Sequence, residues 1–153
     1  MRDKILIISN ESISKKNGNY FCDNLDIKSI PEDLTKRGDV ILIGRLSKAE
    51  RYHKIEKSNV HPASNFFSFI KQIYLEVKKN QNLKFLIISI TPFTFMASIL
   101  IFILKKKPFV YLRSDGFEEY KSIFGFLGPI IYQVMFSITA KTSKLVSCRK
   151  HIL

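Results

Sequence analysis

Tryptophan is absent from the 153-residue chain, and cysteine occurs only twice, as Cys22 and Cys148. The two cysteines are far apart and neither belongs to a CxxC pair, so the sequence predicts no disulfide framework and suits a reducing compartment. His53, His61 and His151 are equally dispersed. Because no two histidines stand at the spacing of metal ligands, the sequence predicts no metal site.

Motifs for catalysis, cofactor binding and targeting are lacking as well. No serine lies in GxSxG, no GxGxxG is present, and no glycine-rich loop leads into Gly-Lys-Ser/Thr. We therefore expect no bound cofactor, and hydrolase chemistry has no support. The first apolar run, Ile5–Ile8, is four residues long, which is too short for the core of a signal peptide.

Acidic residues are few: 13 Asp and Glu stand against 25 Lys and Arg, which gives a net charge of +12. Such an excess predicts attraction to polyanions or to an anionic lipid leaflet. An A/T-rich genome, which raises the lysine, isoleucine and phenylalanine content, is an alternative origin of this charge. No zinc-finger spacing, RNA-binding aromatic signature or basic zipper accompanies the charge, so nucleic acid is not an expected partner.

One long uncharged run is present, the 20 residues Phe85–Leu104. As one helix it would rise about 30 Å and cross a bilayer. As two elements it is a buried strand that leads into a helix. Thr91 and Pro92 favour the second interpretation, because threonine is a good N-cap and proline is tolerated at the first helical position. The helix would then run from Pro92 to about Leu104, too short to span.

Strand and helix patterns alternate along the whole chain. The predicted strands are Ile5–Ser9, Asp39–Gly44, Phe85–Ile90, Phe109–Arg113 and Leu145–Ser147. The predicted helices are Pro31–Arg37, Ser64 or Asn65 to Lys79, Pro92–Leu104 and Phe117–Lys141, the last broken at Gly128–Pro129. Between them, Asn10–Gly18 is predicted as a polar loop and Arg45–Lys57 as a charged, exposed stretch.

This alternation predicts an α/β fold with a doubly wound, mainly parallel, Rossmann-like sheet, formed by residues 1–153 as a single domain. Ligands of such folds bind at the carboxyl ends of the strands. The loops that should share this rim follow Ser9, Gly44, Ile90 and Arg113.

Two segments on the predicted rim carry polar groups suited to a ligand. Ser12–Asn19 has one glycine and two lysines, which would bring backbone N–H groups and charge to a phosphate or else form an ordinary solvated loop. Arg113–Gly116 directly follows a buried strand and is placed to meet a ligand, unless Asp115 only caps the next helix. The residues alone leave both alternatives open.

Four strings and their order resemble the N-terminal domain of GT-B fold glycosyltransferases of the family 4 type. The strings are Lys4–Ser9 with its glycine-bearing loop, Leu34–Gly44, Phe85–Asp115 and Tyr132–Ser147. The resemblance implies transfer of a sugar from a nucleotide-sugar to a glycan or lipid-linked acceptor in surface polysaccharide synthesis. It further implies that this domain holds the acceptor. The family's donor-binding domain would be missing, so we expect a truncated enzyme that is inactive by itself and meets a nucleotide-sugar only together with that domain.

The resemblance also implies roles for individual residues. Near the donor's phosphates it places the loop after the first strand, with Lys16, Asn17, Gly18 and Asn19. Many members have two glycines in this loop, whereas this chain has one. On the acceptor side of the rim it places Thr91, Pro92, Arg113, Ser114 and Asp115. Members of the family often carry a histidine in the stretch that Arg113, Ser114 and Asp115 occupy here. Because the acceptor is often lipid-linked, we expect a cytoplasmic protein at the inner face of the plasma membrane, in peripheral contact through segments such as Arg51–Lys54.

Two other functions stay open at this point. A small membrane protein would use Phe85–Leu104 and Ile123–Ala140 as spanning helices, although Gly125, Gly128 and Pro129 interrupt the second. A non-catalytic α/β module would bind a nucleotide or a protein partner.

Overall fold

The described residues form eight strands and five helices, three strands more than the sequence predicts. The computed structural model describes residues 3–56, 58–80 and 82–147. The strands are β1 (Asp3–Lys16), β2 (Asn19–Cys22), β3 (Gly38–Ser47), β4 (His53–Ile55), β5 (Asn59–Ala63), β6 (Leu83–Ile88), β7 (Phe109–Leu112) and β8 (Lys144–Ser147). The helices are α1 (Leu25–Leu34), α2 (Phe66–Lys79), α3 (Pro92–Ile103), α4 (Gly116–Phe124) and α5 (Leu127–Thr142). The predicted α/β, Rossmann-like class is confirmed, whereas predictions on Lys57, Cys148 and His151 concern residues outside the described ranges.

The chain divides into two compact units, Met1–Phe85 and Leu86–Leu153, and β6 crosses the boundary between them. The strand order in the first unit is β4-β2-β1-β3-β5. Its β1–β3 and β3–β5 pairs are parallel, and its β1–β2 and β2–β4 pairs are antiparallel. In the second unit the end of β6 pairs with β7, and β7 pairs with β8, all in parallel.

The core of the first unit is built from branched apolar side chains of its central strands. Its fully buried members include Leu6, Ile7, Ile8, Leu42 and Ile43. Helix α1 packs on β3 and β4, and α2 packs on β3 and β5. Continuous apolar runs of this kind are typical of parallel strands that are covered on both faces.

Strand β1 is longer than predicted, and this corrects the polar loop assigned to Asn10–Gly18. The strand continues to Lys16 after a register shift relative to β3, and Ile13 in the extension is fully buried. Asn17 and Gly18, with φ of 50° and 77°, then form a two-residue turn into β2. Positive φ at both central residues is the type I′ pattern, for which Asn-Gly is the preferred sequence.

Helix α1 also differs from the prediction, because it begins at Leu25 and not at Pro31. The side chain of Asn24 caps it by accepting a hydrogen bond from the backbone N–H of Asp26 at 2.9 Å. Pro31 lies inside the helix, where it removes one helical hydrogen bond, and its buried ring offsets part of that cost. The residues after Leu34 form a turn, so the predicted helix Pro31–Arg37 is wrong at both ends.

The long uncharged run folds as a strand followed by a helix, as the sequence favours. β6 ends at Ile88, and the 12-residue α3 begins at Pro92. Phe85–Leu104 and Ile123–Ala140 are each divided between two elements, so the alternative in which they are single helices is wrong. Within the described ranges no helix has both the length and the apolar character needed to span a membrane.

The predicted break in the last helical region is real but lies at Gly125 and not at Gly128–Pro129. Gly125 has φ 60° and ψ −138°, a combination that side chains of L-residues rarely permit. Gly128 and Pro129 belong to the first turn of α5, where the missing N–H of proline costs little. Gly128 instead permits close packing, because a Cβ added there would lie 2.7 Å from the backbone nitrogen of Lys121.

Three short strands, β2, β4 and β5, were not predicted. β4 lies inside the stretch Arg45–Lys57, which was assigned as exposed and charged. β5 contains Pro62 and pairs with β3 alone among the described strands. Proline is tolerated in such edge strands because its missing N–H faces away from the ladder.

Candidate functional site

Four residues predicted to approach a donor's phosphates, Lys16–Asn19, lie together in the hairpin turn between β1 and β2. All four are exposed, and Lys16 Nζ pairs with Glu50 Oε1 at 2.9 Å. The turn leads into a strand and not into a helix, so it lacks the helix N-terminus that often completes a phosphate site. The role of these residues at a phosphate stays a prediction.

Lys16 also lines a cleft of about 460 Å³ in the first unit, which we call the basic cleft. Its lining residues are Ser14, Lys15, Lys16, Phe21, Leu46, Ser47, Lys48, Glu50 and Arg51. Four of them are cationic and one is acidic, so the cleft carries an excess of positive charge. It contains the carboxyl ends of β1 and β3, the side of the strands at which ligands bind in this class of fold.

Internal contacts engage three of the four cations in the basic cleft, one of which is Lys16 in its ion pair with Glu50. Arg51 forms an ion pair with Asp23 and donates a hydrogen bond to Ser47 Oγ at 3.2 Å. Lys15 Nζ lies 5.7 Å from the centre of the Tyr20 ring, within the range of a cation–π contact. The excess of cations over acids in the lining, and not these contacts, suits the cleft to binding an anion.

The predicted acceptor-side residues lie in the second unit, at the carboxyl ends of β6 and β7. These strands are parallel neighbours, so the segments that follow them, Ser89–Pro92 and Arg113–Asp115, share one edge of the sheet. The backbone N–H of Ser89 donates to the carbonyl oxygen of Tyr111 at 2.8 Å, which holds the two strand ends together. We call residues 89–92 and 113–115 the polar rim.

Thr91 and Pro92 of the polar rim start helix α3. The backbone N–H of Thr91 donates to Thr94 Oγ1 at 2.8 Å, and Thr91 Oγ1 accepts from the backbone N–H of Thr94 at 3.3 Å. This reciprocal pair is a capping box, and Pro92 occupies the first helical turn with its ring exposed. Thr91 therefore has a structural role that accounts for its position.

Asp115 caps the next helix, which was one of the two readings of Arg113–Gly116. Its Oδ1 accepts hydrogen bonds from the backbone N–H groups of Phe117 at 2.9 Å and Glu118 at 3.4 Å. Arg113 and Ser114 precede the cap and are half-buried. The guanidinium and the hydroxyl make these two residues the best suited of the rim to binding an anionic or sugar-bearing ligand.

Ser89 is a member of the polar rim that the sequence did not single out. Its φ of 63° is uncommon for a residue other than glycine and costs on the order of 1–3 kcal/mol. Its Oγ is buried and has no hydrogen-bond partner in the described part of the chain. Strained backbone and unpaired hydroxyls concentrate at binding sites, but neither is readable from a lone serine after an apolar run.

Two buried titratable side chains outside the rim, Tyr132 and Cys22, are protonated at neutral pH. Burial, with smaller effects of the Asp115 and Glu119 carboxylates, raises the pKa of Tyr132 to about 12. Burial likewise raises the pKa of the Cys22 thiol to about 11. Neither side chain supplies an anionic nucleophile. Within residues 3–56, 58–80 and 82–147, no group of three or more His, Cys, Asp or Glu residues could hold a metal ion.

A further cavity of about 540 Å³ lies at the amino ends of the first unit's strands. Lys4, Gly38, Asn59 and His61 are among its lining residues. It mixes acidic and basic groups and lies at the opposite ends of the strands from the basic cleft, so it is a less suitable ligand site in this class of fold.

The segment Arg51–Lys54, expected to touch a membrane, is only partly available for that contact. Arg51 is engaged with Asp23, and His53 and Lys54 belong to β4. Tyr52 is 85% exposed, so it is the one large ring that this segment presents to solvent.

Comparison with protein-family models, with curated proteins and with solved structures finds no match to this chain. The resemblance to family 4 glycosyltransferases therefore stays an expectation drawn from the sequence. The arguments for a function rest on the basic cleft and the polar rim.

Proposed function

We propose that the chain is the acceptor-binding part of a GT-B glycosyltransferase. The acceptor receives a sugar from a nucleotide-sugar that is held mainly by a second domain. The acceptor is a glycan or a lipid-linked diphosphate glycan. The single observation that carries the proposal is the polar rim, in which Arg113 and Ser114 stand beside Ser89 at the carboxyl ends of two parallel strands.

The chemistry of the rim fits a diphosphate-linked sugar. A guanidinium binds phosphate oxygens through two parallel N–H groups, and hydroxyls exchange hydrogen bonds with sugar hydroxyls. Ser89 contributes a buried hydroxyl next to the strand end, which has no hydrogen-bond partner among the described residues. An arriving ligand that hydrogen-bonds this oxygen would remove the cost of leaving it unpaired.

Titration with a water-soluble, short-chain polyprenyl diphosphate monosaccharide tests the proposal. We expect saturable heat of binding, and we expect Arg113→Gln to weaken binding at least about tenfold, since hydrogen bonds to charged groups contribute about 1.5–3 kcal/mol. Arg37→Gln, which removes an exposed guanidinium from the first unit, should leave the affinity unchanged. Absence of saturable binding, or equal effects of the two substitutions, would contradict the assignment.

A second candidate function is a non-catalytic module that binds a nucleoside phosphate, and the basic cleft favours it. UDP and GDP are the probes that separate the candidates. Saturable binding of UDP or GDP that Lys16→Gln with Lys48→Gln removes, without any binding of the polyprenyl diphosphate sugar, would support the module. Binding of the polyprenyl diphosphate sugar alone supports the acceptor-binding role.

A further inference from the structure

Helix α5 is apolar on two faces. Its buried face carries Gly128, Tyr132, Met135 and Thr139. A second stripe at helical spacing is exposed and consists of Leu127, Ile130, Ile131, Val134 and Ile138. A helix at the surface of a soluble protein normally presents charged and polar residues to the solvent. A helix that is apolar all round is normally buried.

The turn between α4 and α5 extends this exposed apolar stripe. Gly116 of α4 lies against the Tyr132 ring, and Gly128 of α5 lies against the Tyr120 backbone, so the two helices form an antiparallel hairpin. Phe126 stands at its tip and is 81% exposed. We call the exposed set Ile123, Phe124, Phe126, Leu127, Ile130, Ile131, Val134 and Ile138 the apolar hairpin surface.

An exposed apolar surface of eight large side chains exceeds what solitary surface residues produce and marks an interaction site. Its chemistry is distinguished by what flanks it. Lys105, Lys106, Lys107 and Lys141 line one groove of about 520 Å³ with Phe102 and Ile103, where α3 and α5 end. We call the four lysines the lysine cluster.

Acidic residues are few between Leu86 and Ser147, and all three, Asp115, Glu118 and Glu119, lie at the start of α4. Between Leu86 and Ser147 the chain has seven Lys and Arg residues and three Asp and Glu residues, and α5 itself has no acid. A binding partner that presents negative charge next to an apolar interior therefore complements this unit. A second copy of the chain would bring the same positive charge, so repulsion disfavours self-association through this surface.

We propose that the apolar hairpin surface inserts into an anionic lipid leaflet, with α5 in the plane of the interface and the lysine cluster on headgroup phosphates. The 16 residues of α5 rise about 24 Å, less than the ~30 Å hydrocarbon core, so the helix lies along the membrane. Basic residues beside an exposed apolar helical face are the features of interfacial binding. This inference goes beyond the proposed function and does not depend on it.

Vesicle flotation measures the contribution of the tip. The vesicles contain phosphatidylcholine alone or phosphatidylcholine with about one third phosphatidylglycerol, an anionic lipid. We expect binding to the anionic vesicles and a loss of at least about tenfold in partitioning for Phe126→Asp. Phe67→Asp is the matched control, because Phe67 is 82% exposed on α2 of the first unit and should partition like the unaltered protein.

The lysine cluster has its own variants. Lys105→Gln with Lys107→Gln should reduce partitioning about fivefold for each charge, and raised NaCl should act in the same direction. Lys71→Gln with Lys78→Gln removes two exposed charges from α2 and serves as the control. Equal losses in both double variants would mean that net charge alone attracts the vesicles, which would overturn the assignment of this surface.

A fluorescent variant tests insertion without relying on loss of binding. The chain has no tryptophan, so Phe126→Trp introduces a single one at the tip of the hairpin. We expect a blue shift with anionic vesicles and quenching by brominated lipid, and neither change for Phe67→Trp. A Phe126→Trp spectrum that stays unshifted in vesicles, or a blue shift that appears without lipid and grows with protein concentration, overturns the proposal, the latter in favour of self-association.

Discussion

Replacement of Gly128 by alanine tests whether α4 and α5 pack as closely as the structure places them. The added Cβ would lie 2.7 Å from the backbone nitrogen of Lys121 and closer still to the carbonyl group of Tyr120. Carbon atoms in contact prefer separations of about 3.5–4.0 Å, so α5 would have to move away from α4 by about 1 Å. The atoms in the way belong to the backbone of α4 and cannot rotate aside as a side chain would.

The expected magnitude follows from two opposing effects. Overpacking of this kind costs about 1–3 kcal/mol, and the fixed backbone places Gly128→Ala near the upper end. Alanine is the better helix former and returns at most about 1 kcal/mol. We therefore expect a net loss of about 2 kcal/mol in the free energy of unfolding, or about 4–8 °C in Tm for a chain of this size.

Guanidinium unfolding followed by circular dichroism measures the change. The control is Ala140→Gly in the same helix, at an exposed position. Helix propensity alone predicts a gain for Gly128→Ala and a loss of about 1 kcal/mol for Ala140→Gly. The packing predicts losses for both, with the larger one at Gly128. A Gly128→Ala protein more stable than the unaltered chain would refute the close approach of the two helices.

Three further predictions concern stability and reactivity. Asn65→Ala should destabilise the protein by about 1 kcal/mol in urea unfolding, because Asn65 Oδ1 accepts a hydrogen bond from the backbone N–H of Ser68 at 2.9 Å. The control Ser64→Ala should change the free energy of unfolding by less than about 0.5 kcal/mol. A larger effect at Ser64 than at Asn65 would contradict the cap. Because the folded-state pKa of Tyr132, about 12, exceeds the ordinary 10.0, its contribution is fully present below pH 10 and is lost as the pH rises toward 12. Urea midpoints at pH 9 and 11 should therefore differ less in Tyr132→Phe, and identical shifts would refute this origin. In a Cys148→Ser background, the buried Cys22, with its pKa near 11, should resist DTNB at pH 8 until guanidinium unfolds the chain, and prompt labelling of the folded chain would contradict that burial.

Elements specified by local chemistry could be predicted from the sequence. Thr91 and Pro92 start α3 where the sequence places its N-terminus, because capping needs only neighbouring residues. The apolar strands β3, β6 and β7 were recognisable because strands covered on both faces read as continuous branched runs. The same logic identified Asn65 as one of two possible caps, and only the structure distinguishes it from Ser64.

Elements that depend on distant partners were missed. The extension of β1 through Ile13 has alternating serines, which is typical of a half-buried strand but also of a polar loop, and only its pairing with β2 and β3 decides between them. The Asn17-Gly18 turn was the available signal for that hairpin. Gly125 and Gly128 differ in role because one needs positive φ and the other close packing, which no local pattern distinguishes.

The candidate site was predictable from the sequence only in part. Arg113–Asp115 and Thr91 were placed correctly at strand ends because topology dictates where parallel strands finish. The basic cleft was not foreseen as a unit, because Lys15 and Lys48 are brought together by strands far apart in the chain. The strain at Ser89 is a property of the folded backbone and has no sequence signature.

Pro62 has a consequence for the behaviour of the protein in a crowded solution. It is the fourth of the five residues of β5, which pairs on one side with β3 and on the other with no described strand. A free strand edge offers a template on which a second chain can add a strand and begin an aggregate. Proline interrupts the row of donors along that edge, so the residue that weakens β5 also protects the first unit from growing into an intermolecular sheet.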